Sequence, residues 1–438
     1  MTFADLNLNP PLLNALEDLG LQEPTVIQQK AFSVIMSGRD VVGIAQTGTG
    51  KTYAYLLPLL RQYTFSKQKE PRILILVPTR ELVVQMVEEV KKLSTYLSIR
   101  VEGVYGGTNI NTQKQLVSEG LDLLVATPGR LLDLALTGYL NLKFIKHLVI
   151  DEMDEMLSLG FRAQLLRVFD LLPKKRQNLL FSATMSEDVD DMINEHFRGP
   201  ILVEAVRAGT PLERIEQTCY QAPNFYSKIN LLAHLLEQDE SMQKVLIFGP
   251  SRRLADLIYN QLEEKFADQF EIVHANKSQN FRLNAVAAFE KGLRRGLICT
   301  DVLARGLDVT DVTHVINVDT PEDPETYIHR IGRTGRADKD GKAVLFTTEA
   351  EQPQKEAIET LMGRSIPEIS WPEEVEVSLK LIESERFHVP EVKLKLRPKP
   401  TGAFHDKLAK NKKVNKGNKT KHLRDLKYKK PKSKGKKR

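Results

Sequence analysis

The chain has 438 residues, 41% of them hydrophobic, enough for cores in two or three domains of ordinary size. Its two cysteines, Cys219 and Cys299, exclude a disulfide framework, and the lack of a basic-plus-apolar leader or a long apolar run predicts a soluble, cytoplasmic protein without a membrane segment. The formal net charge of +6 hides an asymmetry: residues 391–438 hold 20 Lys and Arg against 3 Asp and Glu, net +17, which leaves −11 for residues 1–390. A polyanionic partner is therefore a property of the tail before it is one of the body.

The chain opens with a capped helix over residues 9–20 and a second helix entered through Pro24-Thr25-Val26-Ile27-Gln28, a Thr-x-x-Gln capping box in which Gln28 satisfies an N-terminal backbone donor. The apolar run 41–44 then stops at Ala45-Gln46-Thr47-Gly48-Thr49-Gly50-Lys51-Thr52. A strand that ends in a Gly-rich turn and restarts as a helix aims several backbone N–H groups and the helix dipole at one spot, which suits phosphate. In this phosphate loop Lys51 reaches the β/γ-phosphates and Thr52 holds Mg²⁺; Ala45 stands where the usual pattern has Gly. Strand-like runs follow at 73–77, 101–105, 121–126, 148–151 and 179–182, each succeeded by polar or helix-forming sequence. Such alternation predicts a parallel sheet covered on both faces, with ligands at the carboxyl ends of the strands. The short stretches Pro78-Thr79-Arg80, Gly106-Gly107, Thr127-Pro128-Gly129-Arg130 and Ser182-Ala183-Thr184 fall at those ends, although any one alone is a plain turn.

Residues 206–211 lapse into linker composition, after which strand candidates resume at 245–249, 272–275, 297–300, 315–318 and 343–347, with helices at 254–266 and 280–291 between them. This half has no phosphate loop of its own, so it is expected to complete the first nucleotide site. Beyond a helix at 354–362 the text turns irregular; Val375, Val377, Leu379 and Leu381 alternate like a short strand, and past about residue 397 the composition is that of a disordered segment.

Asp151 and Glu152 end an apolar strand one hundred positions after Lys51. In a phosphate-loop enzyme the first orients Mg²⁺ and the second takes the proton of the attacking water, while acids that merely open a helix are the bland alternative. The ordered series Ala45 to Thr52, Pro78-Thr79-Arg80-Glu81-Leu82, Thr127 to Arg130, Asp151-Glu152-Met153-Asp154, Ser182-Ala183-Thr184 and His329-Arg330-Ile331-Gly332-Arg333-Thr334-Gly335-Arg336 resembles the motif set of DEAD-box RNA helicases over residues 3–350. Met153 departs from the Ala usual there, and Ala275 from a common Gly.

The resemblance implies two tandem RecA-like α/β lobes: an ATP-binding lobe over 1–205, a linker over 206–213, a second lobe over 214–365 and an irregular extension with a disordered basic tail over 366–438. It further implies that Phe3 and Gln28 read adenine, that Gly306 and Asp308 contact the nucleotide ribose, and that Arg333 and Arg336 meet the γ-phosphate when the lobes close. Pro78, Thr79, Arg80, Gly106, Gly107, Thr127, Pro128, Gly129, Arg130, Gln279, Arg282, Thr300 and Asp301 match RNA-side motifs; Ser182, Thr184 and His329 match the motifs that couple the lobes. The activity implied is ATP-dependent unwinding of short RNA duplexes or remodelling of RNA–protein complexes. The compact body with a basic tail is similar to bacterial members that act on ribosomal particles or with RNA-turnover proteins. A DNA-directed translocase of the same architecture and a basic RNA chaperone with a vestigial ATP site are the rival readings.

Overall fold

The short apolar runs of the sequence become the strands of two separate parallel sheets. The computed structural model describes residues 1–45, 49–204, 215–301, 309, 312–335 and 340–386. Gln46, Thr47, Gly48, Gly306, Asp308, Arg336, the linker 206–213 and the tail beyond 386 lie outside the described residues.

The first sheet contains β1 (Val41–Ile44), β2 (Ile73–Leu76), β3 (Val101–Val104), β4 (Leu123–Ala126), β5 (His147–Asp151), β6 (Gln177–Ser182) and β7 (Ile201–Glu204) in the order β3-β4-β2-β5-β6-β1-β7. Strand residues alternate between two cores because successive side chains point to opposite faces. Ile73, Ile75, Leu123, Val125 and Val149 pack on one side, and Leu74, Leu76, Leu124, Leu148 and Ile150 on the other. Helices cover both faces, so each of these side chains is removed from water, contributing roughly 1.5–3 kcal/mol apiece before conformational entropy is subtracted. Register keeps the carboxyl ends flush: Ile44 pairs with Ser182, Phe181 with Asp151, and Leu76 with both Ile150 and Ala126. One edge of the sheet therefore carries the loops of the first lobe that follow its strands and are expected to face a ligand. The loops after β5, β6 and β1 sit together on one half, and those after β3, β4 and β2 on the other.

The second sheet repeats the plan with β8 (Ile215–Gln221), β9 (Val245–Phe248), β10 (Phe270–Val273), β11 (Gly296–Cys299), β12 (His314–Asn317), β13 (Gly341–Thr347) and β14 (Glu368–Ile369), in the order β10-β11-β9-β12-β13-β8-β14. Residues 366–386 lie against this sheet. Glu368 and Ile369 pair with Cys219 and Tyr220 of β8, Trp371 and Ile382 pack on the core that includes helix Phe225–Gln238, and Asn224 and Asn230 donate to the carbonyls of Ser378 and Glu376. The alternating stretch from Val375 is not a strand: Val375 is buried, whereas Leu379 is 95% exposed and no ladder forms along it. Cys219 and Cys299 are both buried free thiols. No helix among the described residues is long and apolar enough to cross a membrane.

Candidate active site

Gly50 sits at φ +89° as the N-cap of helix Lys51–Gln62, a conformation L side chains rarely adopt. A Cβ there would also lie 2.5 Å from Gln28 Nε2 and 2.9 Å from Thr25 Oγ1, so the close approach demands glycine. Gln28 is buried and doubly engaged: its Oε1 accepts from Thr25 N at 2.9 Å, completing the capping box, and its Nε2 donates to the Gly50 carbonyl at 3.1 Å. The capping role and a tie to the phosphate loop thus share one amide, which keeps a second N–H and a second lone pair. Phe3 is buried among Leu6, Leu8 and the first core. Ala45 is buried and hydrogen-bonds through its N–H to the Ser182 carbonyl at 3.1 Å. Thr49 and Gly50 lead into the helix whose first two residues are Lys51 and Thr52.

Across the sheet, Asp151 ends β5 and Glu152 follows at φ 55°, ψ 54°, the left-handed region uncommon outside glycine, before the short helix Met153–Ser158. Asp151 Oδ1 accepts from Glu152 N at 3.0 Å and Oδ2 from the Tyr55 hydroxyl at 2.7 Å. Among the described residues Lys51 Nζ and Glu152 Oε2 are buried without a hydrogen-bond partner. Burial pushes the Glu152 carboxyl up to about 7, with Lys51 and Arg333 pulling it down and Asp151 and Asp154 raising it further. Burial likewise raises Asp151, against the opposing pull of Lys51 and Tyr55.

The second lobe reaches this edge through helix Pro324–Ile331, which stops at Gly332 and delivers a buried Arg333. The contact centres on Asp154. Its Oδ2 accepts from Ala183 N at 3.1 Å, Thr184 N at 3.0 Å and Thr184 Oγ1 at 3.1 Å, and its backbone N–H reaches Ser182 Oγ at 3.3 Å. His329 Nε2 stands 4.0 Å from the same oxygen, and Thr184 Oγ1 also lies 3.3 Å from Glu325 Oε2. Burial alone would raise Asp154, but His329, Lys51 and Ser182 together hold it below the usual carboxylate range. A second junction joins the lobes at Glu81, whose Oε1 meets Arg282 Nη1 at 3.1 Å and Gln279 Nε2 at 3.2 Å; all three are partly or wholly withdrawn from solvent.

Two family models match this arrangement in order, "DEAD/DEAH box helicase" over residues 25–192 and "Helicase conserved C-terminal domain" over residues 227–338. The RNA helicase CrhR of Synechocystis sp. is 37% identical over 382 residues, covering 87% of this chain and 77% of its own length. The chain belongs to the DEAD-box ATP-dependent RNA helicases. Among solved structures, S. cerevisiae Dbp5 bound to RNA and ADP BeF3 is 29% identical and aligns with a TM-score of 0.77 over 84% of this helicase and 95% of that chain. A Dbp5 variant bound to Nup159, Gle1, IP6 and ADP, at the same 29% identity, covers 84% of this helicase and 97% of that chain but aligns only to 0.59. The two lobes of this helicase thus stand in the arrangement of the former more than of the latter.

On the other half of the sheet edge the helicase brings Arg80 and Gly107 together. Gly107 has φ +79°, and a Cβ on it would stand 1.9 Å from Arg80 Nη1; Gly106 lies beside the same guanidinium. Thr79 caps helix Arg80–Leu93 by accepting from Leu82 N, directly after Pro78. Thr127 and Pro128 are buried at the start of helix Pro128–Leu136, while Gly129 faces open space. Arg130 is committed inward: it donates to Gln113 Oε1 at 2.8 Å and the Thr108 carbonyl at 3.0 Å, bracing the loop that carries Gly106 and Gly107. Arg282 is similarly committed to Glu81 and Gln279, not to an open face. Thr300 is buried after β11, and Asp301 is held by Arg330, whose Nη2 donates to Oδ2 at 2.8 Å while its guanidinium lies over Phe248. Sequence reasoning leaves Tyr55, Glu81 and Asp154 without a role in the site. Asp154 and Glu81 lie inside quoted motifs; their partners come from elements far along the chain and leave no local signature.

Proposed function

We propose that this helicase binds ATP with Mg²⁺ at the carboxyl edge of the first sheet, binds RNA across both lobes, and hydrolyses ATP when residues of the second lobe complete the site. The observation that carries the reading is that, among the described residues, Lys51 Nζ and Glu152 Oε2 at that edge are buried without a hydrogen-bond partner. A buried ammonium and a buried carboxylate oxygen without partners are costly unless a ligand supplies them. A phosphate answers the first and a water the second.

Lys51 binds the β/γ-phosphates, helped by the backbone N–H groups of Gln46, Thr47, Gly48, Thr49 and Gly50, while Ala45, its own N–H held by the Ser182 carbonyl, anchors the start of that loop. Thr52 and Asp151 offer the hard oxygen donors that suit Mg²⁺, and the ion when bound neutralises phosphate charge. Glu152 takes the proton of the attacking water, a task suited to a carboxyl whose burial brings it near neutral pH. Arg333 and Arg336 stabilise charge on the transferred phosphoryl group. Adenine is read by Phe3 and by the free capacity of the Gln28 amide, and ribose by Gly306 and Asp308. RNA runs past Pro78, Thr79, Arg80, Gly106, Gly107, Thr127, Pro128 and Gly129 on the first lobe and past Gln279 and Thr300 on the second, with Arg130, Arg282 and Asp301 acting through the loops and seams they brace. Contacts to backbone and 2′-OH make binding RNA-selective and sequence-tolerant, and closure separates a short duplex locally. Ser182, Thr184 and His329 link closure to the nucleotide through Asp154. Ribosomal particles or RNA-turnover proteins are the partners this architecture suits, in the cytoplasm.

ATP turnover measured with RNA and with DNA of the same sequence tests the reading. RNA stimulates hydrolysis and DNA does not, and Glu152→Gln lowers stimulated turnover by about 10²–10⁴-fold with ATP and RNA binding intact. Equal stimulation by DNA would make the protein a DNA-directed translocase, and absence of turnover in the wild type would make its ATP site vestigial.

A further inference from the structure

Tyr55 lies one turn beyond Lys51 and Thr52 on helix Lys51–Gln62, and its side chain is fully buried. Its ring packs against Phe181 of β6 with centroids 5.1 Å apart, which fixes where the hydroxyl falls. That hydroxyl lies 2.7 Å from Asp151 Oδ2 and 3.3 Å from Met86 Sδ, and the Thr52 side chain, on the same helix, also hydrogen-bonds it. A phenol has one hydrogen to donate, and an ionised carboxylate oxygen at 2.7 Å is a far stronger acceptor than a thioether at 3.3 Å. The hydrogen therefore goes to Asp151.

We propose that Tyr55 is a positioning residue for the metal-facing carboxylate: it holds Asp151 in the one orientation that presents its remaining oxygen lone pairs to Mg²⁺. The other oxygen, Oδ1, is fixed by the Glu152 N–H at 3.0 Å, so the two bonds together lock the carboxylate plane from both ends. With only the Glu152 bond left, the carboxylate turns about its last torsion, and a buried oxygen loses its donor. Outer hydrogen bonds of this kind orient metal-binding groups, and removing one typically costs metal affinity rather than fold. The packing of Tyr55 and its hydroxyl are separable, because Phe keeps the ring and removes only the oxygen.

The inference rests on the proposed role of Asp151, and the test keeps the two apart. Full-length protein is titrated with MgCl2 at fixed fluorescent ADP analogue, and affinity is also measured in EDTA, for the wild type, Tyr55→Phe, Met86→Leu and Asp151→Asn. Tyr55→Phe is expected to raise the Mg²⁺ midpoint on the order of tenfold, with the EDTA affinity and melting temperature close to wild type. Met86→Leu, which changes a neighbour of the hydroxyl that faces no metal, leaves the midpoint in place, and Asp151→Asn raises it at least as far as Tyr55→Phe. A Tyr55→Phe midpoint within twofold of wild type, an equal shift in Met86→Leu, or an equal loss of affinity in EDTA would overturn the inference. If Asp151→Asn shifts the midpoint and Tyr55→Phe does not, Asp151 keeps its role and Tyr55 is packing alone. If Asp151→Asn itself leaves the midpoint unmoved, both readings fall.

Discussion

Met153, flanked by Glu152 and Asp154, is fully buried in the core that also holds Met156, Leu180, Val189 and Met192. Its thioether chain is flexible enough to fill an irregular gap, so its business is packing. Met153→Ala is expected to destabilise the first lobe by about 2–5 kcal/mol, seen as a lower melting temperature, with stimulated turnover within a few-fold of wild type. A large fall in turnover at an unchanged melting temperature would instead give Met153 a part in shaping the site. Glu152 makes the opposite trade. Its carboxyl is raised by burial, so the folded protein holds a proton there that the unfolded chain has already released between the ordinary glutamate value and about 7. Stability from this group is therefore fully present below the ordinary value and is lost as pH climbs through about 7. Without nucleotide, Glu152→Gln should match the wild type near pH 4 and exceed it at pH 8 by on the order of 1–3 kcal/mol, measured by denaturant melts at both pH values. Equal stability at pH 8 would show that the ionised carboxylate finds a partner in solution.

At the scale of elements, the seam between lobes depends on the starts of two helices, Arg80–Leu93 and Gln279–Glu290, meeting through Glu81 and Arg282. A buried ion pair adds little net stability, but losing one partner strands the other charge. Arg282→Ala should weaken the mutual enhancement of RNA and nucleotide binding while each lobe melts as before, and a double-mutant cycle with Glu81→Gln should give a coupling of about 1–3 kcal/mol. Additive effects of the two substitutions would mean that the pair does not form during closure. This junction shows where sequence reading stops. Strands β2, β4, β5 and β6 are legible because burial on both faces makes them continuous apolar runs bounded by polar turns. β8 is hidden by Glu216, Gln217 and Thr218, and β14 is two residues that form a strand only because β8 offers them an edge. The alternation from Val375 misleads in the other direction, since its partner is a helix that supplies asparagine side chains in place of a ladder. Within the site, the phosphate loop and the Asp151-Glu152 pair are local patterns and can be read. The pairing of Glu81 with a residue some two hundred positions away cannot, and neither can the tyrosine hydroxyl that a packed ring delivers to Asp151.

At the scale of the molecule the charge is divided: +17 on residues 391–438 and −11 on residues 1–390. An acidic body repels a polyanion at long range, so the cationic segment is expected to supply the attraction that brings RNA near. It is expected to raise the local concentration of RNA at the lobes without changing what they do to it. Each phosphate neutralised on a single strand contributes about −0.7 to the slope of log K against log[salt], so engaging about five phosphates adds a slope of roughly −3 to −4. Deletion after Val389 should weaken RNA binding mainly at low salt, where screening is least and counterion release is worth most. It should raise the RNA concentration for half-maximal ATP turnover and leave the rate at saturating RNA nearly unchanged. The measurement is RNA affinity and turnover of full-length and truncated protein across a salt series. Equal salt slopes, or loss of the saturated rate on truncation, would mean that the segment takes part in closure or in the fold itself, because a tether changes how often RNA arrives and not how fast the closed enzyme turns over.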